Sequence, residues 1–110
     1  MGIFDDITCE HVLPAQPKPK TNLFKTKDFD CLDEHYTITQ DGRLMKDGND
    51  MQFDGSLRFE TYTKEHMWFE YVARFTNGRL VEIQPISIYQ REILGGLRVF
   101  YPRADQKARA

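Results

Sequence analysis

Two cysteine–histidine pairs, Cys9-x-His11 and Cys31-x3-His35, are the residues whose types and spacing come nearest to chemistry. Together they offer four soft or borderline ligands, the number a structural zinc needs. The spacing argues against that use, because zinc knuckles set their ligands further apart than Cys9 and His11. Buried small cysteines and surface histidines are the simpler reading. As nucleophile and base the same pairs lack context. A reactive cysteine needs a base within hydrogen-bond reach and a donor site for the oxyanion, and the chain has no Gly-rich nucleophile turn. Glu60 and Glu70 form a candidate carboxylate pair, but acids on strands commonly belong to a solvated face. Phosphate-loop, H-E-x-x-H and G-x-S-x-G motifs are absent from the sequence. We therefore assign no catalytic residue, no cofactor and no metal ligand, and expect a protein that is not an enzyme.

Whatever these residues do, the elements that position them are announced by turns. Gln40-Asp41-Gly42-Arg43-Leu44 and Thr76-Asn77-Gly78-Arg79-Leu80 each lie between runs rich in aromatic and β-branched residues. Asp-Gly and Asn-Gly tolerate the left-handed backbone that tight hairpins require. For the second turn two registers compete. A two-residue loop sets Phe75 opposite Leu80 and Tyr71 opposite Gln84, mixing polar and apolar residues on both faces. A three-residue loop of Thr76, Asn77 and Gly78 sets Tyr71 opposite Ile83, Ala73 opposite Val81 and Phe69 opposite Pro85, with Glu70, Arg74, Glu82 and Gln84 on the other side. The second keeps the apolar set together and is preferred. The same loop at 40–42 puts Ile38 opposite Leu44.

Strands are expected at Leu23–Thr26, His35–Thr39, Arg43–Lys46, Leu57–Thr63, Met67–Phe75 and Arg79–Gln84. A short ordered start covers Phe4–Leu13, and the Pro- and Lys-rich stretch 15–20 reads as a linker because proline lacks an amide donor. Lys46–Asp50 and Phe53–Ser56 read as exposed turns. Residues 86–94 fit a strand or a short helix, Gly95-Gly96 breaks the chain before Leu97–Tyr101, where a strand is favoured because Val, Phe and Tyr suit a pleated surface, and the residues from Pro102 are expected to be frayed. The expected fold is mainly β: one domain over 1–110, a small antiparallel sheet or partly closed barrel of five to seven strands, with hairpins at 40–42 and 76–78 and little helix.

Composition is that of an ordinary soluble domain, 40% hydrophobic and 29% charged over 110 residues. No run approaches a spanning helix, and the start lacks the basic and apolar regions of a secretory signal. Gly2 suggests N-myristoylation, but Asp6 stands where that motif wants Ser or Thr. A cytoplasmic location without membrane attachment is expected, and the two cysteines are expected as free thiols. Charge is segregated. Residues 17–27 carry Lys18, Lys20, Lys25 and Lys27 without an acid, residues 28–54 carry eight acids against Arg43 and Lys46, and basic residues dominate again from Arg91. The acidic middle could dock on a basic partner or mimic a phosphate backbone, though solvated loops and hairpin edges are the stronger reading. Binding to nucleic acid would ask for the opposite sign.

The opening Met1 to Glu10 with Leu13-Pro14, the segment Lys25-Thr26-Lys27-Asp28 before Asp30-Cys31, and Tyr36-Thr37-Ile38 followed by Asp41-Gly42-Arg43-Leu44 carry a resemblance. The chain resembles a group of short, uncharacterised proteins of tailed phages and prophages that pair a Cys-Glu-x-x-Leu-Pro opening with a Thr-Lys-x-x-Asp-Cys segment. The likeness covers about the first half, and the second half only through the Trp-Phe-Glu-Tyr strand and the Asn-Gly-Arg-Leu turn. It implies context, a small accessory protein made inside an infected bacterium, and brings no activity and no site residues.

Eight Phe, five Tyr and one Trp make up 13% of the chain, and a small domain must bury most of them to offset ordering entropy. Trp68 and Phe69 alternate, so one of them faces away from the core. Trp68, Tyr89, Arg91, Arg98 and Tyr101 are the candidate partner-binding residues, being of the types that dominate interfaces. A second mini-core under the terminal segments is the bland alternative. The functional expectation is a non-enzymatic accessory factor that occupies a host or defence-system protein. The alternatives are a self-assembling or virion protein and a small-ligand or metal-binding β module.

Overall fold

The computed structural model describes residues 4–14, 17–29 and 31–101. The described residues form nine strands and no helix: β1 (Asp5–Cys9), β2 (Leu23–Thr26), β3 (His35–Ile38), β4 (Leu44–Lys46), β5 (Asn49–Asp50), β6 (Gly55–Tyr62), β7 (Met67–Thr76), β8 (Arg79–Arg91) and β9 (Leu97–Tyr101). They join in one open sheet of order β5-β4-β3-β1-β2-β6-β7-β8-β9. Mainly β with hairpins is therefore right, whereas five to seven strands and a barrel are corrected to nine strands in an open sheet. The added strands come from segments whose local signals were weak. These are β1, in the ordered start, and β5, which Asp47-Gly48 joins to β4 in a two-residue hairpin; the stretch 86–91 continues β8, and β9 lies at 97–101, where the sequence favours a strand. Expectations for 15–16 and for the tail from Pro102 lie outside the described residues.

One pair is parallel. β1 runs antiparallel to β2 and parallel to β3, so the connection from β2 to β3 passes around the start of β1. The side chain of Asp5, wholly buried, holds that crossing. Its carboxylate accepts the backbone N–H of Cys31 (2.9 Å), Leu32 (3.0 Å) and Glu34 (2.9 Å). These bonds satisfy amides that the left-handed backbone at Cys31 and Asp33 turns away from any ladder.

With no helix among the described residues to cover it, the sheet bends over its own apolar face. Alternation puts Ile7, Cys9, Phe24, Tyr36, Ile38, Leu44, Leu57, Phe59, Phe69, Tyr71, Ala73, Phe75 and Ile88 on that face, all buried. Phe29 and Phe53 enter from loops, Phe29 stacked on Tyr36 at 4.3 Å and Phe53 edge-on to Phe75 at 5.6 Å. The bend brings the two Gly turns together: the Leu80 N–H donates to the Gly42 carbonyl at 2.8 Å, and a Cβ on Gly42 would lie 3.2 Å from the Cβ of Leu80.

The hairpin registers are informative. Ile38 faces Leu44 as expected. At the second turn the preferred three-residue loop is corrected: Thr76 pairs with Arg79 around Asn77-Gly78, both with positive φ, the signature of a type I′ turn. Phe75 therefore faces Leu80. The polar mixing that this register threatened is removed by two bulges, which leave Val81 and Ile86 without opposite residues, so that Ala73 faces Ile83, Tyr71 faces Pro85 and Phe69 faces Ile88.

Candidate protein-binding surface

The outer face of the sheet is polar near the turns and aromatic at the other end of β6–β9. Directly opposed residues of an antiparallel pair share a face. Tyr62 faces Trp68, Trp68 faces Tyr89, and Tyr89 faces Val99, so four strands contribute one continuous row. The Trp68 and Tyr89 rings stack at 6.3 Å, and Tyr62 lies 6.5 Å from Trp68. Of the predicted partner-binding residues, Trp68, Tyr89 and Arg91 share this face, Arg91 opposite exposed Leu97. Arg98 sits opposite Gln90 on the other face, and Tyr101, opposite Ile88, packs against the core. The β8–β9 hairpin extends the apolar character into solvent: at its tip Ile93 is 93% exposed and Leu94 98%. Sequence reasoning missed those two tip residues, although Ile-Leu before Gly-Gly was a visible signal.

Next to the row lies a concavity of about 300 Å³ lined by Phe4, Lys25, Glu60, Tyr62 and Trp68, among others. Glu60 and Glu70 stand opposite one another across β6 and β7. Burial, then the Glu70 charge, push the Glu60 carboxyl above its ordinary range, against the pull of Lys27 and Arg58. Arg58 meets Glu70 at 3.6 Å. The candidate carboxylate pair is thus real in space, on a sheet face where Lys27 and Arg58 act on Glu60 and Arg58 is bound to Glu70.

The cysteine–histidine pairs are not brought together, and no group of three or more His, Cys, Asp or Glu among the described residues is placed to hold a metal ion. Cys9 is in the core with its thiol toward the His11 carbonyl at 3.6 Å, whereas His35 meets the Thr8 hydroxyl at 2.8 Å on the outer face. Both cysteines are free. Burial pushes the Cys9 thiol up to about 11, so at neutral pH it holds little nucleophilic thiolate. Under native conditions iodoacetamide should label half-buried Cys31 and spare Cys9, with Cys9 labelled in urea; peptide mass mapping reads the order, and equal native labelling would refute it.

The acidic middle is largely absorbed by local structure. Asp28 accepts the Arg58 N–H (2.7 Å), Glu34 pairs with Lys46 (3.3 Å), Asp50 pairs with Arg43 (2.8 Å), and Asp54 accepts the Asn77 N–H (3.3 Å). The Thr39 hydroxyl donates to Asp41 and holds that carboxyl below its ordinary range. These carboxylates fasten turns and strand ends and form no free array. Among the described residues, no helix is long and apolar enough to cross a membrane. No family model, curated protein or solved structure matches this chain.

Proposed function

We propose that this chain is a non-enzymatic binding protein whose outer sheet face docks on a protein partner and occupies it. In the phage setting that the sequence resemblance implies, the partner is a host or defence-system protein. The observation that supports the reading best is the aromatic row of Tyr62, Trp68 and Tyr89, continued by Val99 and by the apolar hairpin tip. The apolar face is already filled by five buried or core-packed Phe of β2, β6, β7 and the 53 loop, together with Tyr71, and the row lies on the opposite side. Rigid aromatics flanked by an arginine are the residue types that anchor interfaces.

Tagged protein and its Trp68→Ala variant, used for capture from bacterial lysate at two salt concentrations, test this. A stoichiometric partner retained by the parent chain and lost by the variant is the expected result. Nothing retained, or equal retention by both, overturns it. The open edge at β9, which presents Leu97 and Val99, favours self-association as the second reading, and light scattering on the purified chain would then show a defined oligomer.

A further inference from the structure

β9 is the last strand of the sheet, and its outer edge is open among the described residues. The β8–β9 ladder fixes which backbone groups lie there. Beside the hairpin tip the Glu92 N–H donates to the Gly96 carbonyl at 3.1 Å, which makes 92 and 96 a hydrogen-bonded pair. Bonded and non-bonded pairs alternate along an antiparallel ladder. Gln90 with Arg98 is therefore the next bonded pair, while Arg91 with Leu97 and Tyr89 with Val99 turn their backbone groups away from each other. The Arg91 N–H agrees, donating at 2.9 Å to the His66 carbonyl on the far side of β8. Leu97 and Val99 thus each hold an N–H and a C=O out along the edge, at the spacing that an added antiparallel strand meets with two bonded pairs. The bulge at Phe100 ends this regular stretch.

The two edges of the sheet differ. β5 is two residues long, and Asp50 is tied to Arg43 and to the Gln52 N–H, so that edge is short and charged. β9 carries no acid and no proline. Leu97 and Val99, both exposed, stand on the outer face, where Val99 ends the aromatic row. Between them Arg98 projects from the other face, exposed and without an ion pair among the described residues. A second copy of β9 fits this edge poorly. The antiparallel register that uses both residues on both copies sets Arg98 directly against its own equivalent, and like charges so placed are destabilising.

We propose that the protein partner adds an extended strand to the β9 edge, antiparallel, with an apolar-acidic-apolar pattern opposite Val99, Arg98 and Leu97. This deepens the docking reading above and rests on it. Backbone hydrogen bonds give the attachment, the two apolar side chains extend the row of Tyr62, Trp68, Tyr89 and Val99 by one strand, and the carboxylate pairs with the Arg98 guanidinium on the other face.

The probe is the peptide acetyl-Thr-Val-Glu-Val-Thr-amide, against its counterpart with Lys in place of Glu, added to the isotope-labelled full chain at constant ionic strength and followed by amide NMR. Saturable shifts at 97–99 are expected with the acidic peptide, and binding weaker by about threefold or more with the lysine peptide. Hydrogen exchange should slow at the Leu97 and Val99 amides, and less at the Arg98 amide, which already faces Gln90. Arg98→Glu should reverse the preference between the peptides, a gain that loss of folding cannot produce. No saturable response, or equal response of parent and variant to both peptides, would overturn the proposal. So would slowed exchange at β9 that grows with protein concentration without peptide, the mark of a second copy on this edge. If the peptides fail while lysate capture still depends on Trp68, the docking face stands and strand addition falls.

Discussion

Asp5→Ala should destabilise the fold by roughly 2–4 kcal/mol, because three backbone N–H groups in a part-exposed loop lose their shared buried acceptor, at about 1–3 kcal/mol for each donor that water does not reach. A domain of this size has about 5–15 kcal/mol in total, so the variant should unfold at much lower urea or fail to accumulate. The position is topological as well as energetic. The residues bound by Asp5 form the chain that carries β2 past β1 into β3, and without them the parallel pairing of β1 with β3 has only its ladder. Asp5→Asn separates the two oxygens. Oδ1 accepts Leu32 and Glu34 and Oδ2 accepts Cys31, so an amide that keeps its oxygen at the first position loses one bond of three. About a third to half of the Ala effect is expected. Urea titration followed by Trp68 fluorescence and circular dichroism decides it; an Asp5→Ala cost below about 1 kcal/mol would show that water or loop relaxation replaces the carboxylate.

Asp5 also marks where sequence reading stopped. Local periodicity located the strands at Leu23–Thr26, His35–Ile38 and Met67–Thr76 within a residue or so, because each is an alternating run between strong turn residues. The turn chemistry of Asp41-Gly42 and Asn77-Gly78 was equally legible. The loop length at 77–78 was not, since the two bulges at Val81 and Ile86 let a two-residue turn and an apolar face coexist, and neither residue advertises a bulge. The parallel β1–β3 pair was out of reach for a different reason. It depends on an acid at position 5 binding amides at 31–34, a contact with no sequence period. The same holds for the concavity beside the aromatic row. Glu60 opposite Glu70 follows from a hairpin, but Phe4 and Lys25 reach Tyr62 and Trp68 only through the β1–β2–β6 order. Trp68, Tyr89 and Arg91 were legible as residues of interface type, but their shared face was not, because the bulge at Ile86 sets the alternation that brings Tyr89 opposite Trp68. Arg98 alternates away, and a bulge at Phe100 turns Tyr101 toward the core.

Phe24→Ala should cost about 3–5 kcal/mol, the usual range for emptying a buried aromatic site, and should act unevenly across the molecule. The seam between β2 and β6 is registered at one pair among the described residues, Lys25 with Glu60. The rest of that joint is made by side chains. The Thr26 hydroxyl donates to the Arg58 carbonyl at 2.6 Å, Asp28 accepts the Arg58 N–H, and the Phe24 ring sits edge-on to Phe59 at 5.1 Å and to Tyr71 at 6.0 Å. On one side of the seam β6, β7 and β8 form a meander of long, locally closed hairpins; on the other, short β1–β5 depend on distant contacts. Removing the Phe24 ring takes packing from the joint and leaves the hairpins intact, so the β1–β5 part should open first. Native-state hydrogen exchange reads this directly: amides of β1, β2 and β3 should lose protection by more than those of β6 and β7. Phe24→Leu, which retains most of the apolar bulk, should lower stability by a smaller amount with the same pattern. Uniform loss across both parts would mean that the seam is held by its backbone and side-chain hydrogen bonds and that the sheet unfolds as one unit.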